Sequence, residues 1–288
     1  MRTFILGLGA QKAGTTWFFK QLVESKRFVP GMAKEYHVFD SLYLGGGEFA
    51  ETKSITTRLR NYSKLADERV ILKNLEIMKS FYQDDQNYFD YFDSLLKGED
   101  DFTSDISPAY SGLSREVLAK IKKEFNQRGI AVKVVFIMRE PIGRLESAIR
   151  MGLRRKKILR EISEAEVILR INNQLGSKDE LQRANYLYTS QQIDRVFPAK
   201  DVFYGFYETL FSENQIQRLS DFCNLEPEEF DSSAVFNATP RLFKYPLDEI
   251  EKLKGKVQDR YQFVSERFDF DVSIWDEAIY KMVKLKEG

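Results

Sequence analysis

Cysteine is almost absent from this chain, where Cys223 stands alone. A single thiol excludes an internal disulfide and fits a reducing compartment. Net charge is missing as well. The 44 basic residues are balanced by 44 acidic ones, which argues against general adhesion to nucleic acid or membrane. No apolar run approaches the roughly 18 residues of a membrane-spanning helix. No charged-plus-apolar leader precedes the first strand, which starts near residue 3, so a soluble cytoplasmic protein is expected. Histidine is as scarce as cysteine, with His37 the only one. Repeats, low-complexity segments and linkers are also lacking. The 288 residues, 43% hydrophobic and 14% aromatic, are ample for a core and are read as a single α/β domain over residues 1–288.

Within that plain background, residues 4–20 organise the chain. Residues 4–8 are a short apolar run of the kind that forms a buried strand. Gly9 and Gly14 bracket a loop, and residues 15–23 read as a helix with an apolar face. Strand, glycine loop and helix together make a phosphate cradle, in which backbone N–H groups and the helix N-terminus point at the anion. The spacing Gly9-x4-Gly14 followed by Thr15 and Thr16 matches a Walker A loop except at its lysine. Nucleotide hydrolases place Lys directly after the second Gly. Position 15 is Thr here, and the lysine sits inside the loop at Lys12. A generic P-loop turn with an incidental lysine is the plainer alternative. The displaced cation suits a nucleotide with one 5′-phosphate and a transferable group directly beyond it.

This loop resembles the 5′-phosphosulfate loop of sulfotransferases that use 3′-phosphoadenosine 5′-phosphosulfate (PAPS), roughly Gly-x-x-Lys-x-Gly-Thr-Thr/Ser followed by Trp or Leu. Lys12, Gly14, Thr15, Thr16 and Trp17 fit the pattern. The resemblance implies donor binding by Gln11, Lys12, Ala13, Gly14, Thr15, Thr16 and Trp17. It also implies a P-loop-like fold of three layers, with a central, mostly parallel sheet of about five strands. Lys12 would act in catalysis by stabilising the transferring group, and no metal would be required.

Two further segments extend the resemblance. Lys34, Glu35 and His37 fall within four positions after the first helix and look like the Lys-Glu-x-His stretch of heparan-sulfate-type glycan sulfotransferases. Sulfuryl transfer needs a base for the acceptor proton and a cation near the leaving oxygen. The resemblance implies Glu35 as general base, His37 as an orienting or second proton-handling group, and an acceptor hydroxyl or amine that could belong to a carbohydrate. A structural role for the lone histidine is the alternative. The β-branched run over residues 131–138 reads as a central parallel strand, with Arg139 at its end, Pro141 in the first turn of a helix and Ser147 about two turns in. This resembles the family's 3′-phosphate site, with Arg139 and Ser147 as anchors. No evident Walker B acid follows an apolar strand, since Arg139 occupies that strand end, which sets the chain apart from a P-loop kinase or hydrolase. An inactive nucleotide-binding scaffold of the same ancestry stays open.

The rest is less specific. The segment Asp105-Ile-Ser-Pro-x-Tyr110 resembles one that lines the acceptor side in the family, with Ile106 where glycan enzymes often have Lys. Residues 69–73 read as a short strand, residues 77–96 as aromatic core, and residues 114–128 as a helix capped by Gly129. Residues 150–157 are a basic cluster, read as a solvated helix face or as a groove for an anionic acceptor. Helices are expected over 158–175, 180–196 and 247–267, and a strand over 201–207. Tyr186 is implied to lie near the adenine. Arg241 and Lys244 stand where the family's C-terminal loop closes on the 3′-phosphate, without its clear Lys/Arg-Gly form.

Overall fold

The computed structural model describes residues 1–62, 67–225 and 242–284. Strand β1 (Thr3–Gly9) is buried from residue 4 onward, as the apolar run requires of a central strand. Strands β2 (Phe102–Ile106), β3 (Ala131–Met138) and β4 (Val202–Phe206) complete a parallel sheet in the order β2-β1-β3-β4. Four strands stand among the described residues instead of about five. All four point the same way, so their C-terminal ends share one edge, and β1 ends between β2 and β3.

Five helices separate β1 from β2: α1 (Thr15–Glu24), α2 (Val38–Tyr43), α3 (Thr52–Tyr62), α4 (Glu68–Gln83) and α5 (Gln86–Leu95). Helix α6 (Arg115–Gln127) joins β2 to β3. Helices α7 (Pro141–Arg155), α8 (Glu164–Gln174), α9 (Lys178–Ala184) and α10 (Tyr186–Asp194) lead to β4. Helices α11 (Glu213–Cys223), α12 (Leu247–Gly255), α13 (Gln258–Phe268) and α14 (Ser273–Tyr280) follow it. No described helix is long and apolar enough to cross a membrane.

Side chains alternate across the sheet, so both faces need cover. On one face Phe4 stacks on Phe125 of α6 at 4.1 Å and meets Phe92 of α5 edge-on at 4.8 Å. On the other, Phe203 packs against Phe222 of α11 at 5.7 Å. The three-layer arrangement follows from these contacts.

Residues 69–73, expected as a strand, lie inside α4. Ile71, Leu75, Met78 and Phe81 are its buried positions, a spacing that only a helix puts on one face. Asp67 caps it by accepting from the Arg69 amide at 3.0 Å. Val70 and Leu72 are left exposed, so the β-branched look of this stretch was local and the longer period prevailed. The helix expected over 158–175 begins only at Glu164, where Ser163 accepts from the Glu166 amide. The helix expected over 180–196 is two, broken where Asn185 caps α10 through the Tyr188 amide at 3.0 Å.

One buried ion cluster ties three of these helices together. Glu180 of α9 accepts from Arg260 of α13 at 2.9 and 2.7 Å and from Arg144 of α7, and all three side chains are nearly sealed from water. Removing the shared carboxylate strands two guanidinium groups in a low dielectric. Glu180→Ala is therefore expected to lower unfolding free energy by about 3–5 kcal/mol in urea titrations. A loss under about 1 kcal/mol would show that the cluster contributes no net stability.

Candidate active site

The loop after β1 keeps the geometry of a phosphate cradle. Its chain continues the pairing with β3 through the Ala10 amide, which donates to Ile137 O at 2.6 Å, and then turns, with Ala13 N donating to Ala10 O at 3.2 Å. Lys12 holds a φ of 68° and Gly14 a φ of 89°, so the loop folds back on itself before α1 begins. Glycine is required at 14: a Cβ there would meet Leu210 at 3.1 Å and Tyr207 at 3.2 Å, besides the positive φ. Gly14 is also the N-cap of α1 and brings no capping side chain. The first-turn amides of Thr15 and Thr16 thus start the helix with its positive dipole end at the loop. Ala13 is fully buried with its amide committed to the turn, and the Trp17 ring lies buried against Phe211 at 5.1 Å. Thr15 is buried, while Gln11 and Thr16 are partly exposed.

Arg139 meets this loop directly. Its Nη1 donates to the Lys12 carbonyl at 2.7 Å, and its guanidinium sits 4.2 Å from the centre of the Tyr207 ring. Arg139 therefore braces the loop from β3, one strand over. Tyr186 lies behind Arg139. Its ring is sealed between Phe136 and Trp275, and its hydroxyl donates to Arg139 O at 2.6 Å while accepting from Arg139 N at 3.3 Å. The enclosed ring is thereby tied to the backbone of Arg139. Behind it, Glu140 caps α7 by accepting from the Ile142 amide at 2.9 Å and from the Gly143 amide, and Glu208 accepts from Glu140 N at 3.1 Å and Trp275 Nε1 at 2.9 Å. Burial raises the Glu140 carboxyl to about 7 against the pull of those amides.

Ser147 lies on α7, 7% exposed, on the helix that begins beside Arg139. Further along that helix, Met151 Sδ is 3.8 Å from Lys12 Nζ. Burial, then the positive charges of Arg139, Arg154, Arg150 and Arg155, bring the Lys12 ammonium down to about 8. The basic cluster at 150–157 is accordingly not only a solvated face. Arg150 is buried and bonded to Glu146 at 2.7 Å, and Arg154 and Arg155 are exposed, yet all three act on the loop lysine. Arg144 is spent on Glu180. Arg241 lies outside the described residues, and Lys244 bonds to Glu164 and Lys281 near the C-terminus.

The second half of the site forms at the end of β2. Lys34 O accepts from Ile106 N at 2.9 Å, which seats the Lys34–Glu35–Tyr36–His37 segment beside that strand. Asp105, Ser107 and Tyr110 act as its buckle. Asp105 accepts from Tyr110 OH at 2.8 Å, Tyr88 OH at 3.0 Å and Ser107 Oγ. Ser107 Oγ in turn accepts from Tyr36 N at 3.1 Å, and Tyr110 OH accepts from Val38 N at 3.0 Å. Asp105 is wholly buried and, through Ser107 and Tyr110, holds the neighbouring loop. Burial raises the Asp105 carboxyl to about 6, those three hydroxyls and the Tyr36 amide at 3.3 Å opposing it.

Glu35 keeps about a third of its side chain exposed, with 34% accessible, and it bonds to Lys34 Nζ at 2.6 Å and His37 Nε2 at 3.3 Å. Burial works against its charge, but Lys34 and then His37 outweigh it and hold the carboxyl well below the usual range. His37, in left-handed backbone at φ 57°, stacks on Phe49 at 4.0 Å and 7°. Its Nδ1 bonds Asp40 at 2.8 Å. Burial disfavours the cation, but the Asp40 and Glu35 carboxylates prevail and lift the ring to about 9. Carboxylates face both ring nitrogens, an arrangement that favours the charged form of His37. Asp40, which carried no mark in the sequence beyond its spacing from His37, sets that charge. Tyr207 and Met151 were likewise missed, since only the fold brings them to Arg139 and Lys12. Among the described residues no group of acids, histidines or cysteines could hold a metal ion.

No protein-family model matches the sequence, and no curated protein matches it. Among solved structures the chain is similar to a sulfotransferase from Alicyclobacillus acidocaldarius, with TM-score 0.57 and 16% identity over 96% of this chain and 99% of that one. The sulfotransferase domains of a Synechococcus olefin synthase and of the curacin biosynthetic pathway both align at TM-score 0.47 and 14% identity, over 88% and 98% of this chain. The first likeness establishes that this α/β domain has the fold of that sulfotransferase.

The single histidine makes its charge measurable. NMR titration of the imidazole is expected to give a midpoint near 9, falling in Asp40→Asn. Because the folded value lies above the ordinary 6.5, the stabilisation from this pair is complete below pH 6.5 and is lost as pH rises through about 9. A midpoint at or below 6.5 would mean a neutral ring and a different relation to Glu35.

Proposed function

We propose that this protein is a sulfotransferase that moves a sulfuryl group from PAPS to a hydroxyl or amine of an acceptor. The observation that carries the reading is Lys12 in a glycine loop at a helix N-terminus, braced by Arg139 and with its proton affinity lowered first by burial and then by four arginines. Such a site lowers its energy by taking an anion. The residues fit the donor: a glycine cradle, the loop lysine, and a guanidinium with a hydroxyl one helix start away. Bound there, the donor would supply a sulfuryl group on a phosphate leaving group.

The chain's own groups then divide the work. Lys12 and the first-turn amides of α1 stabilise charge on the transferring group and on the departing 5′-phosphate. Arg139 holds the loop, and with Ser147 it anchors the 3′-phosphate. Glu35 takes the acceptor proton as the new bond to sulfur forms and the bond to the phosphate oxygen breaks. In its resting ion pair with Lys34 and His37, Glu35 is a weak base. Lys34, drawn to the charge of the leaving group, releases it. A glycan hydroxyl is the first acceptor to test, on the strength of the Lys34–Glu35–His37 pattern.

Calorimetry with adenosine 3′,5′-bisphosphate and with ATP, with and without Mg²⁺, tests the donor class. Metal-independent binding of the bisphosphate is expected, weakened roughly 10- to 100-fold in Arg139→Ala, the range for charge-assisted bonds. Preference for Mg²⁺-ATP would put a P-loop kinase or hydrolase in its place. Glu35→Gln is expected to lower turnover about 10²- to 10⁴-fold, the range for a general base, with bisphosphate affinity nearly intact. Surviving turnover with collapsed affinity would remove Glu35 from the base role.

A further inference from the structure

Helices α3 and α4 each send one polar side chain to the Lys34–His37 segment. Arg58 follows the buried Ile55 of α3 by three positions, and Tyr82 follows the buried Met78 of α4 by four, so both stand at the rims of buried faces. Their polar ends meet. Arg58 Nη2 donates to Phe49 O at 2.8 Å and to Tyr82 OH at 2.8 Å. A guanidinium has donors only, so the phenol oxygen accepts from it and keeps its one hydrogen for a carbonyl. That carbonyl is Tyr36 O, at 2.7 Å. Burial pushes the Tyr82 phenol above its ordinary value, so the hydrogen stays in place. Arg58 Nη1 donates to Ser54 Oγ at 3.1 Å, one turn back along α3, which steadies the guanidinium plane.

Both carbonyls lead to His37. Tyr36 O belongs to the peptide group that joins Tyr36 to His37, and the N–H of that same group donates to Ser107 Oγ at 3.4 Å. One peptide is thus held by its N–H from the β2 side and by its C=O from the side of α3 and α4. The grip has something to oppose. A φ of 57° is left-handed backbone, which a histidine keeps only where its surroundings impose it. Phe49 provides the second hold, because its ring lies flat on the imidazole at 4.0 Å while Nδ1 meets Asp40 and Nε2 meets Glu35.

We infer that Arg58 and Tyr82 are positioning residues for Glu35: by fixing the Tyr36–His37 peptide and Phe49, they hold His37 in the orientation from which it bonds that carboxylate. The inference rests on the sulfotransferase reading above, in which Glu35 takes the acceptor proton, and it names what aims the base. Around the imidazole, Asp40 and Glu35 face the nitrogens and Lys34 stands behind Glu35. Asp105 and Tyr110 lie on the β2 side, and Arg58 and Tyr82 lie on the other. Loss of the Arg58 charge alone would make His37 hold its proton more tightly, by removing a cation. Loss of positioning does the reverse, because it loosens the two carboxylates. The sign of the change separates the two.

The single histidine reports this without any acceptor. In NMR titrations of the full chain, the imidazole midpoint is expected to drop from about 9 to about 8 or below in Tyr82→Phe and in Arg58→Gln, a roughly tenfold weaker hold on the proton. Tyr82→Phe removes one oxygen and no charge, so the packing of α4 is kept. Calorimetric affinity for adenosine 3′,5′-bisphosphate is expected to stay within about threefold in both variants, which also shows that they fold. A midpoint that rises in Arg58→Gln, or stays put in Tyr82→Phe, overturns the inference while leaving the sulfotransferase reading intact. A tenfold loss of bisphosphate affinity in either variant overturns it too, by giving these residues to the fold at large or to the donor half. If the bisphosphate fails to bind the unaltered chain, the sulfotransferase reading falls and the inference falls with it, whatever the midpoints do.

Discussion

Like charge gathered at the end of β1 is the constraint to which the rest of the structure answers. Two unit charges 4 Å apart oppose each other by about 4 kcal/mol at an effective dielectric near 20. Lys12 feels four arginines in addition to burial, and its lowered proton affinity records the cost. The chain sustains this by fixing the cations from behind. Arg139 is bonded to the Lys12 carbonyl and laid over Tyr207, and Arg150 is tied to Glu146. Cations held that rigidly pay little reorganisation when an anion arrives, which is the condition for strong electrostatic stabilisation.

The support reaches deep into the C-terminal half. Tyr186 bonds both the amide and the carbonyl of Arg139, so the backbone at that strand end has no freedom to swing. Glu208 joins the Glu140 amide to Trp275 of α14, and Tyr261 of α13 donates to Glu140 at 3.2 Å. Residues more than a hundred positions downstream thereby set the angle at which β3 hands Arg139 to the loop. The Arg144–Glu180–Arg260 cluster locks the same helices one layer out.

What the sequence revealed follows the range of the physics involved. The loop, α1, β3 and Arg139 were legible because each rests on local rules: apolar runs, glycine spacing and a proline at a helix start. Residues 69–73 misled because three strand-prone side chains outweighed, at short range, the helical period of Ile71, Leu75, Met78 and Phe81. The enclosure of Tyr186 was not legible, since nothing in a tyrosine's neighbours along the chain tells whether its ring will be sealed by Phe136 and Trp275. Asp105 and Ser107 were noticed as a motif, yet their task of gripping the Tyr36 and His37 amides exists only once β2 lies beside that loop. Met151 and Tyr207 could not be found at all without the sheet order that brings their elements to Lys12 and Arg139.

The two halves of the site are electrostatic opposites, and their adjacency is what makes them useful. At β2, Asp40 keeps His37 charged, and His37 and Lys34 together keep Glu35 ionised but weakly basic. At β1, the loop lysine lies among the positive charges of Arg139, Arg154, Arg150 and Arg155. Strand order places these ends side by side, about 5 Å per strand. On the proposed reading, an anion entering the loop would compete with Glu35 for Lys34, and Glu35 would gain proton affinity only when the opposite half was filled.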